Sequence, residues 1–588
     1  MTEQRMSGAA IIIKALADQG VDAVFGYPGG AVLPIYDEIF KQNQVRHFLA
    51  RQEGGAVHAA EGYARSTGKV GVVLVTSGPG ATNAVTGLTD ALMDSIPIVC
   101  LTGQVPTHLI GNDAFQEADT TGITRPCTKH NYLVKDVADL PRIMHEAFHV
   151  ARSGRPGPVV IDIPKDVQFA EGAYVPPEEV THRSYNPRRK PEEGKVDAAL
   201  AMLAAAERPI FYAGGGVINA GPEASEDLIK LVHATGYPCT QTLMGLGAFP
   251  GSDPLSLGML GMHGMYEANL AMHQSDLIVC VGARFDDRVT GRLDAFAPNA
   301  KKIHIDIDPS SINKNVPVDL AIVGDCGAVL KELVAGWKKK KLKAKGKALA
   351  AWWEKIRGWQ ERKCLAYRQE GEIIKPQYAL ERLQAALDRD KRDSFITTEV
   401  GQHQMWAAQY LKFEQPNRWM TSGGLGTMGY GLPAAIGVQV AHPDSLVVDV
   451  SGEASFLMNM QEMSCAAQYG LPVKVFILNN EWMGMVRQWQ ELLHGGRYAE
   501  SYTASLPDFV KLAESFGWTG LRATSADQLD DVIAKMIAAD GPVIADICVA
   551  KDENCFPMIP SGAAHCDMLL GPEDEAQRPV SEDGMVLG

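Results

Sequence analysis

Basic residues are outnumbered in this chain: 55 lysines and arginines stand against 70 aspartates and glutamates, a net charge of −15 over 588 residues. Phosphate backbones and anionic membrane surfaces are bound mainly through basic patches, so neither nucleic acid nor a membrane surface is an expected partner. No apolar run approaches the ~20 residues that a membrane helix needs. The opening stretch MTEQRMSGAAIIIKALADQG carries acidic residues and a helical apolar rhythm. It lacks the core of a secretory leader and the acid-poor, Arg- and Ser-rich look of a transit peptide. The ten cysteines include no C-x-x-C pair, and most lie in apolar runs such as IPIVC and DLIVC. Buried reduced thiols in a cytoplasmic protein are expected, rather than disulfides or a zinc site. Glycine and proline are plentiful, at 58 and 33, but have no period, which excludes collagen-like and low-complexity classes.

At ~150 residues per domain, the length allows three or four domains. Three blocks repeat one theme, a short apolar strand, a glycine turn and a helix-like stretch, and this predicts an α/β protein of doubly wound parallel sheets. Block one, 1–175, has strand candidates DAVFGYPGG, VGVVLVTSGPG, IPIVCLTG and GPVVIDIPKD. A polar, proline-containing linker follows. Block two, 192–337, has RPIFYAGGG, DLIVCVGARFDD, KKIHIDIDP and LAIVGDC, and ends at the basic run Lys338 to Lys347, read as a solvated inter-domain linker. Block three, 370–555, has DSFITTEVGQHQ, SLVVDVSGEASFLMN, LPVKVFILNNEWMGMV and GPVIADICV. A tail, 556–588, is read as a mobile cover or an untethered end. Blocks one and three look alike, as if one unit had been duplicated and a different one inserted between.

Block three carries the strongest local chemistry. Gly452, Glu453, Ala454 and Ser455 follow an apolar strand, and Asn479-Asn480 closes the next one. The small residues let phosphate oxygens approach backbone N–H groups at a helix start. Glu453 and Asn480 offer oxygens at neighbouring strand ends, the place and donor set for Mg²⁺ beside a phosphate, although the Gly and Asn residues alone read more readily as two ordinary strand-to-helix turns. In block one, Glu53 in RQEGGAVHAAEGYAR stands at a strand-to-helix junction, and Gly29-Gly30 and Ser77 to Asn83 form glycine turns. On their own these turns are as readily architectural as functional.

The spacing Gly-acid-small to Asn-Asn resembles the diphosphate-binding motif of thiamin-diphosphate enzymes, with Glu453 where that family usually has Asp. FGYPGGAVLPIYD, RQEGGAVHAAEGYAR, TSGPGATN, GNDAFQEAD, RPGPVVIDIPKD, GMLGMHG, GARFDDRVTG, HIDIDP, GGLGTMGYGLPAA, GEASFLMNMQE and NNEWMGMVRQWQ occur in order over nearly the whole chain. In this the sequence resembles the acetohydroxyacid synthase (acetolactate synthase) catalytic-subunit family. The resemblance implies three domains, pyrimidine-binding, central FAD-binding and diphosphate-binding, and the cofactors thiamin diphosphate, Mg²⁺ and FAD.

It also implies residue roles. Glu53 would hydrogen-bond and activate the cofactor's pyrimidine ring, and Gly30 would be a backbone donor near the reacting centre. Phe115, Gln116 and Lys165 would line the access channel. Arg288 would clamp the carboxylate of a second 2-oxo acid, although RFDDR by itself reads equally as a buried salt-bridge cluster. Trp489 would shape the acceptor pocket. Gly401, Gln402, His403, Met428, Gly452, Ala454, Ser455 and Met485 would contact thiamin diphosphate, and Glu453, Asn480 and the carbonyl of Trp482 would hold Mg²⁺. FAD would meet Arg155, Gly214, Gly215, Gly216, Thr242, Leu243, Met262, His263, Gly282, Arg284, Asp306, Ile307 and Asp325.

The implied reaction decarboxylates pyruvate and joins the two-carbon unit to pyruvate or 2-oxobutyrate, for valine, leucine and isoleucine synthesis. A homodimer or homotetramer is implied, Glu53 of one chain meeting the diphosphate held by another, with a separate small regulatory subunit. Another thiamin-diphosphate decarboxylase or carboligase, or a non-catalytic flavin-binding scaffold, stays open as an alternative. Glu53 speaks against a glyoxylate carboligase, and GARFDDRVTG against a synthase without flavin.

Overall fold

A computed structural model describes residues 5–187 and 190–575. Three six-stranded sheets organise it, and every strand pairing within them is parallel. Across the first sheet the strands run Arg46–Leu49, Ala23–Tyr27, Gly71–Val75, Ile98–Gln104, Val159–Pro164 and His130–Leu133. The third runs Trp419–Met420, Ser394–Thr398, Leu446–Ser451, Lys474–Asn479, Val543–Cys548 and Thr519–Ala523. Numbered in chain order within each sheet, both read 2-1-3-4-6-5, so the likeness of blocks one and three is a likeness of topology. The middle sheet runs Ser256–Met259, Cys239–Gln241, Pro209–Ala213, Leu277–Val281, Lys301–Asp306 and Leu320–Val323. Its order is 3-2-1-4-5-6, that of dinucleotide-binding sheets.

Central strands are apolar throughout because helices cover both faces. Gly71–Val75 and Ile98–Gln104 are buried at every position. Of the strands that the apolar pattern left out, Arg46–Leu49, His130–Leu133, Ser256–Met259, Trp419–Met420 and Thr519–Ala523 lie at sheet edges, and the sixth, Cys239–Gln241, is interior but only three residues long. An edge strand meets solvent on one side, so its sequence needs no continuous apolar run.

The first and third units share a core. Helix Glu53–Thr67 crosses helix Gly431–Ala441 with glycines at the contact. A Cβ on Gly62 would lie 2.1 Å from the Ala434 carbonyl oxygen, and one on Gly437 would lie 1.8 Å from that of Ala59. Backbone therefore meets backbone, and the helix that opens on Glu53 is clamped against the third unit.

Two linker readings change with the fold. The lysines from Lys338 to Lys347 are exposed, but the first two close helix Cys326–Lys339 and the last lies in helix Gly346–Gln360. That second helix belongs to the central unit: Trp352 is buried and its indole N–H donates to the Pro209 carbonyl at 3.1 Å. The tail is not untethered at its start. Met558, Ile559, Met568 and Leu569 are buried, and His565 Nε2 lies 2.7 Å from the Val289 carbonyl. These apolar residues return to the central unit and cover it; 576–588 lie outside the described residues. All ten cysteines are free thiols, six of them buried. Among the described residues no helix is long and apolar enough to cross a membrane.

Candidate active site

In an open parallel sheet, ligands gather beyond the carboxyl ends of the strands where the strand order reverses. In the third sheet that point lies between Ser394–Thr398 and Leu446–Ser451. A cleft opens there, walled by Val400 to His403, Met428, Gly452 to Ser455, Asn480 and Trp482 to Val486. Gly401, Gln402, His403, Met428, Gly452, Ala454, Ser455 and Met485 are thus brought together with Glu453, Asn480 and Trp482.

Glycines keep this wall bare. A Cβ on Gly452 would lie 2.6 Å from His403 Nδ1, one on Gly401 2.7 Å from the same ring, and one on Gly484 2.1 Å from Gln402 Oε1. The His403 ring is wedged between two turns, and burial holds its pKa down at about 3, so it is neutral. Gln402 donates to Gln488 Oε1 at 2.9 Å and to the Glu553 carbonyl at 3.0 Å, and accepts from Asn480 Nδ2 at 3.4 Å. Asn480 Oδ1 accepts the Trp482 N–H at 3.1 Å, which folds the Asn480-Glu481-Trp482 turn.

Glu453 is buried, and its Oε1 has no partner, as do His403 Nε2 and Trp406 Nε1 on the same cleft. Burial, with Asp546 and Glu481 nearby, pushes the Glu453 carboxyl up to about 8 against the pull of backbone N–H groups. A buried carboxylate oxygen without a partner is costly unless a cation or donor meets it. Glu453 and Asn480 sit after paired strands. This donor set, two oxygens beside bare backbone at a helix start, fits a hard divalent cation with a diphosphate.

Glu399 was not singled out from the sequence, yet it ties this wall together. Its Oε2 accepts from Gly429 N and Ser455 Oγ, both at 2.7 Å, and Oε1 accepts from Leu432 N at 3.2 Å. One buried carboxylate thus joins the strand end, the Met428-Gly429 turn and the Gly452–Ser455 turn. Nothing in TTEVGQHQ signals this, because its partners are two backbone amides and one hydroxyl remote in sequence.

The first sheet gathers the block-one candidates at its own carboxyl edge, beyond Ala23–Tyr27, Arg46–Leu49, Gly71–Val75, Ile98–Gln104 and Val159–Pro164. Glu53 opens its helix, and its Oε2 accepts from Asn83 Nδ2 at 3.0 Å, which gives the TSGPGATN turn a positioning role. Gly78, at φ +57°, has no room for a Cβ, which would lie 2.6 Å from the Gln116 carbonyl; this brings the Gln116 turn beside it. Gly29 packs on Thr76, Gly30 is open to solvent, and Lys165 starts a short helix. Phe115 is 88% exposed. Glu53, Gly30, Gln116, Lys165, Arg288 and Trp489 are not among the residues lining the cleft of the third unit in the same chain. Arg288 is exposed and, among the described residues, its ion pair is with its neighbour Asp287 at 3.5 Å, so Arg288 is not part of a buried ionic cluster. Trp489 lies half-buried on helix Gly484–Leu493, one turn beyond Met485.

The middle sheet reverses between Pro209–Ala213 and Leu277–Val281. Gly214 and Gly216 press against Gly282 there, where Cβ atoms would come within 2.3 Å and 2.7 Å of its backbone. Gly215 faces Met244, and Thr242-Leu243 lies at the neighbouring strand end. Asp306 ends Lys301–Asp306, Ile307 follows it, and Asp325 caps helix Cys326–Lys339. Arg284 and Met262 lie half-buried after Leu277–Val281 and Ser256–Met259. Thr242 Oγ1 and His263 Nε2 are buried without partners. Burial holds His263 at about 4. Arg155, from the first unit, reaches across to Asp308 at 3.4 Å. Bare glycine backbone at a switch point, with carboxylates at the next strand ends, fits a dinucleotide.

Comparison with known proteins agrees with this architecture. Residues 6–123 match the thiamine pyrophosphate enzyme N-terminal TPP binding domain, 196–333 the central domain, and 399–547 the C-terminal TPP binding domain. The fold and cleft thus define a thiamine pyrophosphate enzyme. The chain is 49% identical to the acetolactate synthase large subunit of Haemophilus influenzae over 97% of its own length and 100% of the relative's. It is 49% identical to the isozyme 3 large subunit of Escherichia coli, over 96% and 99%, and 46% to the large subunit of Cyanidium caldarium, over 96% of each. The chain belongs to the acetolactate synthase large-subunit family.

Proposed function

We propose that this chain is a catalytic subunit that decarboxylates pyruvate and joins the remaining two-carbon unit to a second 2-oxo acid. Pyruvate as acceptor yields 2-acetolactate, and 2-oxobutyrate yields 2-aceto-2-hydroxybutyrate, with one carbon dioxide released in each case. The observation that carries the reading is the cleft at the third sheet's switch point, with an unpartnered buried carboxylate oxygen beside glycine-bared backbone, in a chain of this family.

Thiamine pyrophosphate, when bound, supplies the carbon nucleophile and the electron sink for decarboxylation. Gly452, Ala454 and Ser455 would present N–H groups to its phosphates, and Glu453, Asn480 and the Trp482 carbonyl would hold Mg²⁺. Gly401, Gln402 and His403 would close the other side of the cleft, with Met428 and Met485 on its apolar walls. Glu53 would accept a hydrogen bond from the cofactor's pyrimidine ring. Gly30 would donate a backbone N–H near the reacting carbonyl. Phe115, Gln116 and Lys165 would border the approach, Arg288 would bind the acceptor's carboxylate as a fork, and Trp489 would shape the acceptor pocket toward a slightly longer 2-oxo acid. FAD would lie along the middle sheet's switch point from Arg155 to Asp325.

A second copy completes this reading. Glu53 stands outside its own chain's cleft, and Leu33, Phe40, Phe115 and Phe169, all on the first unit, are at least 54% exposed. Apolar side chains left so bare suit burial against another protomer. A homodimer is the minimal active form, a homotetramer is compatible with it, and a separate small regulatory subunit and a cytoplasmic location complete the proposal. The test is a product assay with pyruvate alone and with 2-oxobutyrate, with and without thiamine pyrophosphate and Mg²⁺. Cofactor-dependent acetolactate is expected; bound flavin with no product would favour a non-catalytic scaffold.

A further inference from the structure

The helix that opens on Glu53 is held from the third unit by one buried carboxylate. Glu462 Oε1 accepts the backbone N–H of Arg51 at 2.8 Å and that of Gln52 at 3.0 Å. Glu462 is 1% exposed. It ends the short Met460–Glu462 turn, a few residues beyond the Glu453–Phe456 helix start. The sequence around Glu53 is shaped to admit it: a Cβ on Gly55 would lie 2.7 Å from Glu462 Oε1 and 3.0 Å from its Cδ. Neighbouring contacts follow the same path. Leu49 N donates to the Tyr469 hydroxyl at 2.8 Å, and the Arg51 guanidinium donates to Gln468 Oε1 at 2.6 Å.

We propose that Glu462 is the positioning residue for Glu53: it grips the two peptide N–H groups just ahead of Glu53 and so sets where that side chain points. The proposal rests on the role given to Glu53 above. The chain that leaves the phosphate-binding turn is the chain that aims Glu53. If each Glu53 serves the cleft of a second copy, Glu462 links the two clefts of a dimer, since the turn belongs to one cleft and the aimed carboxylate to the other.

Amide hydrogen exchange in the full-length protein without cofactor reads the grip directly. In Glu462→Ala, the Arg51 and Gln52 amides should exchange at least about tenfold faster, each having lost a charge-assisted bond, while amides of Gly71–Val75 stay protected. Gly55→Ala, which adds no polar group and suits a helix, should give the same local effect by displacing the carboxylate. Glu462→Gln keeps an acceptor oxygen and should restore part of the protection. In saturating thiamine pyrophosphate and Mg²⁺, kcat of Glu462→Ala should fall at least about tenfold, with half-saturation by the cofactor changed less than about twofold. A purely structural cap would lower stability without that split.

Doubly tagged hybrid dimers locate the effect. A Glu462→Ala chain paired with a Glu53→Gln chain should lose activity, because the one intact Glu53 is misaimed. A chain carrying both changes, paired with wild type, should match the hybrid of Glu53→Gln with wild type. If it is inactive, Glu462 acts on the cleft of its own chain and the proposal is overturned. Unchanged exchange at Arg51 and Gln52 also overturns it. A Glu453→Ala chain paired with Glu53→Gln tests the underlying reading separately: activity supports clefts shared between copies, and none would refute that sharing while the exchange result still decides the role of Glu462.

Discussion

Replacing Gly437 by alanine tests the clamp between the first and third units. The new Cβ would lie 1.8 Å from the Ala59 carbonyl oxygen. A carbon cannot sit much nearer than ~3 Å to an oxygen in a packed interior, so the two helices must part by about 1 Å. Neither side can yield cheaply, since the obstacle is backbone inside helix Glu53–Thr67. A gap of that size forfeits roughly a quarter to a half of the dispersion along the crossing, and forced overpacking typically costs about 1–3 kcal/mol or more. Alanine returns up to ~1 kcal/mol in helix propensity. The net loss should be ~2–4 kcal/mol. Urea unfolding followed by tryptophan fluorescence should show the first transition about 1 M earlier. Gly358→Ala is the control: its Cβ would meet nothing within 4 Å on helix Gly346–Gln360, so it should raise stability by ~0.5–1 kcal/mol. If both variants moved the midpoint in the same direction, the close crossing would not be the cause.

Glu53→Gln should lower turnover by about 10²-fold or more while bound flavin and the unfolding midpoint are retained; a loss below tenfold would count against its role. Glu453→Ala should raise the Mg²⁺ needed for half-maximal activity by at least about tenfold, with Mn²⁺ and Mg²⁺ titrations as the measurement. Asp162 supplies a pH test. It is buried, accepts from Thr102 Oγ1 at 2.7 Å and Gln104 Nε2 at 2.9 Å, and burial pushes its pKa up from 3.8 to about 7. A folded pKa above the unfolded one means stability present below about pH 4 and lost as pH rises toward 7. Asp162→Asn escapes that loss, since Thr102 can turn to accept from its amide. Its advantage over wild type should grow by up to ~1.4 kcal/mol per pH unit between pH 4 and 7 and level off above; equal urea midpoints at pH 5 and pH 8 would contradict the burial argument.

The central strands were legible because strands covered on both faces must be apolar at consecutive positions, as in VGVVLV and KVFILN. The glycine turns that follow were legible because bare backbone leaves a mark in composition. The edge strands were not: Arg46–Leu49 and Thr519–Ala523 meet solvent on one side and carry no such run. Helix Gly346–Gln360 was hidden behind its basic preface, although Trp352 and Trp353 anchor it to the central unit.

Sequence by itself determined the class of chemistry, since the Gly452–Ser455 turn, the Asn479-Asn480 pair and the Glu53 segment stand in the order and spacing of one enzyme family, and a family's motifs can be read without the fold. Tertiary structure alone decided which groups meet. Glu399 joins three walls of the cleft, Asn83 holds Glu53, and Glu462 reaches across more than 400 positions to Arg51 and Gln52. Their partners are mostly backbone N–H groups, and every residue but proline offers one, so only the packing of the first unit on the third selects which N–H a carboxylate will find.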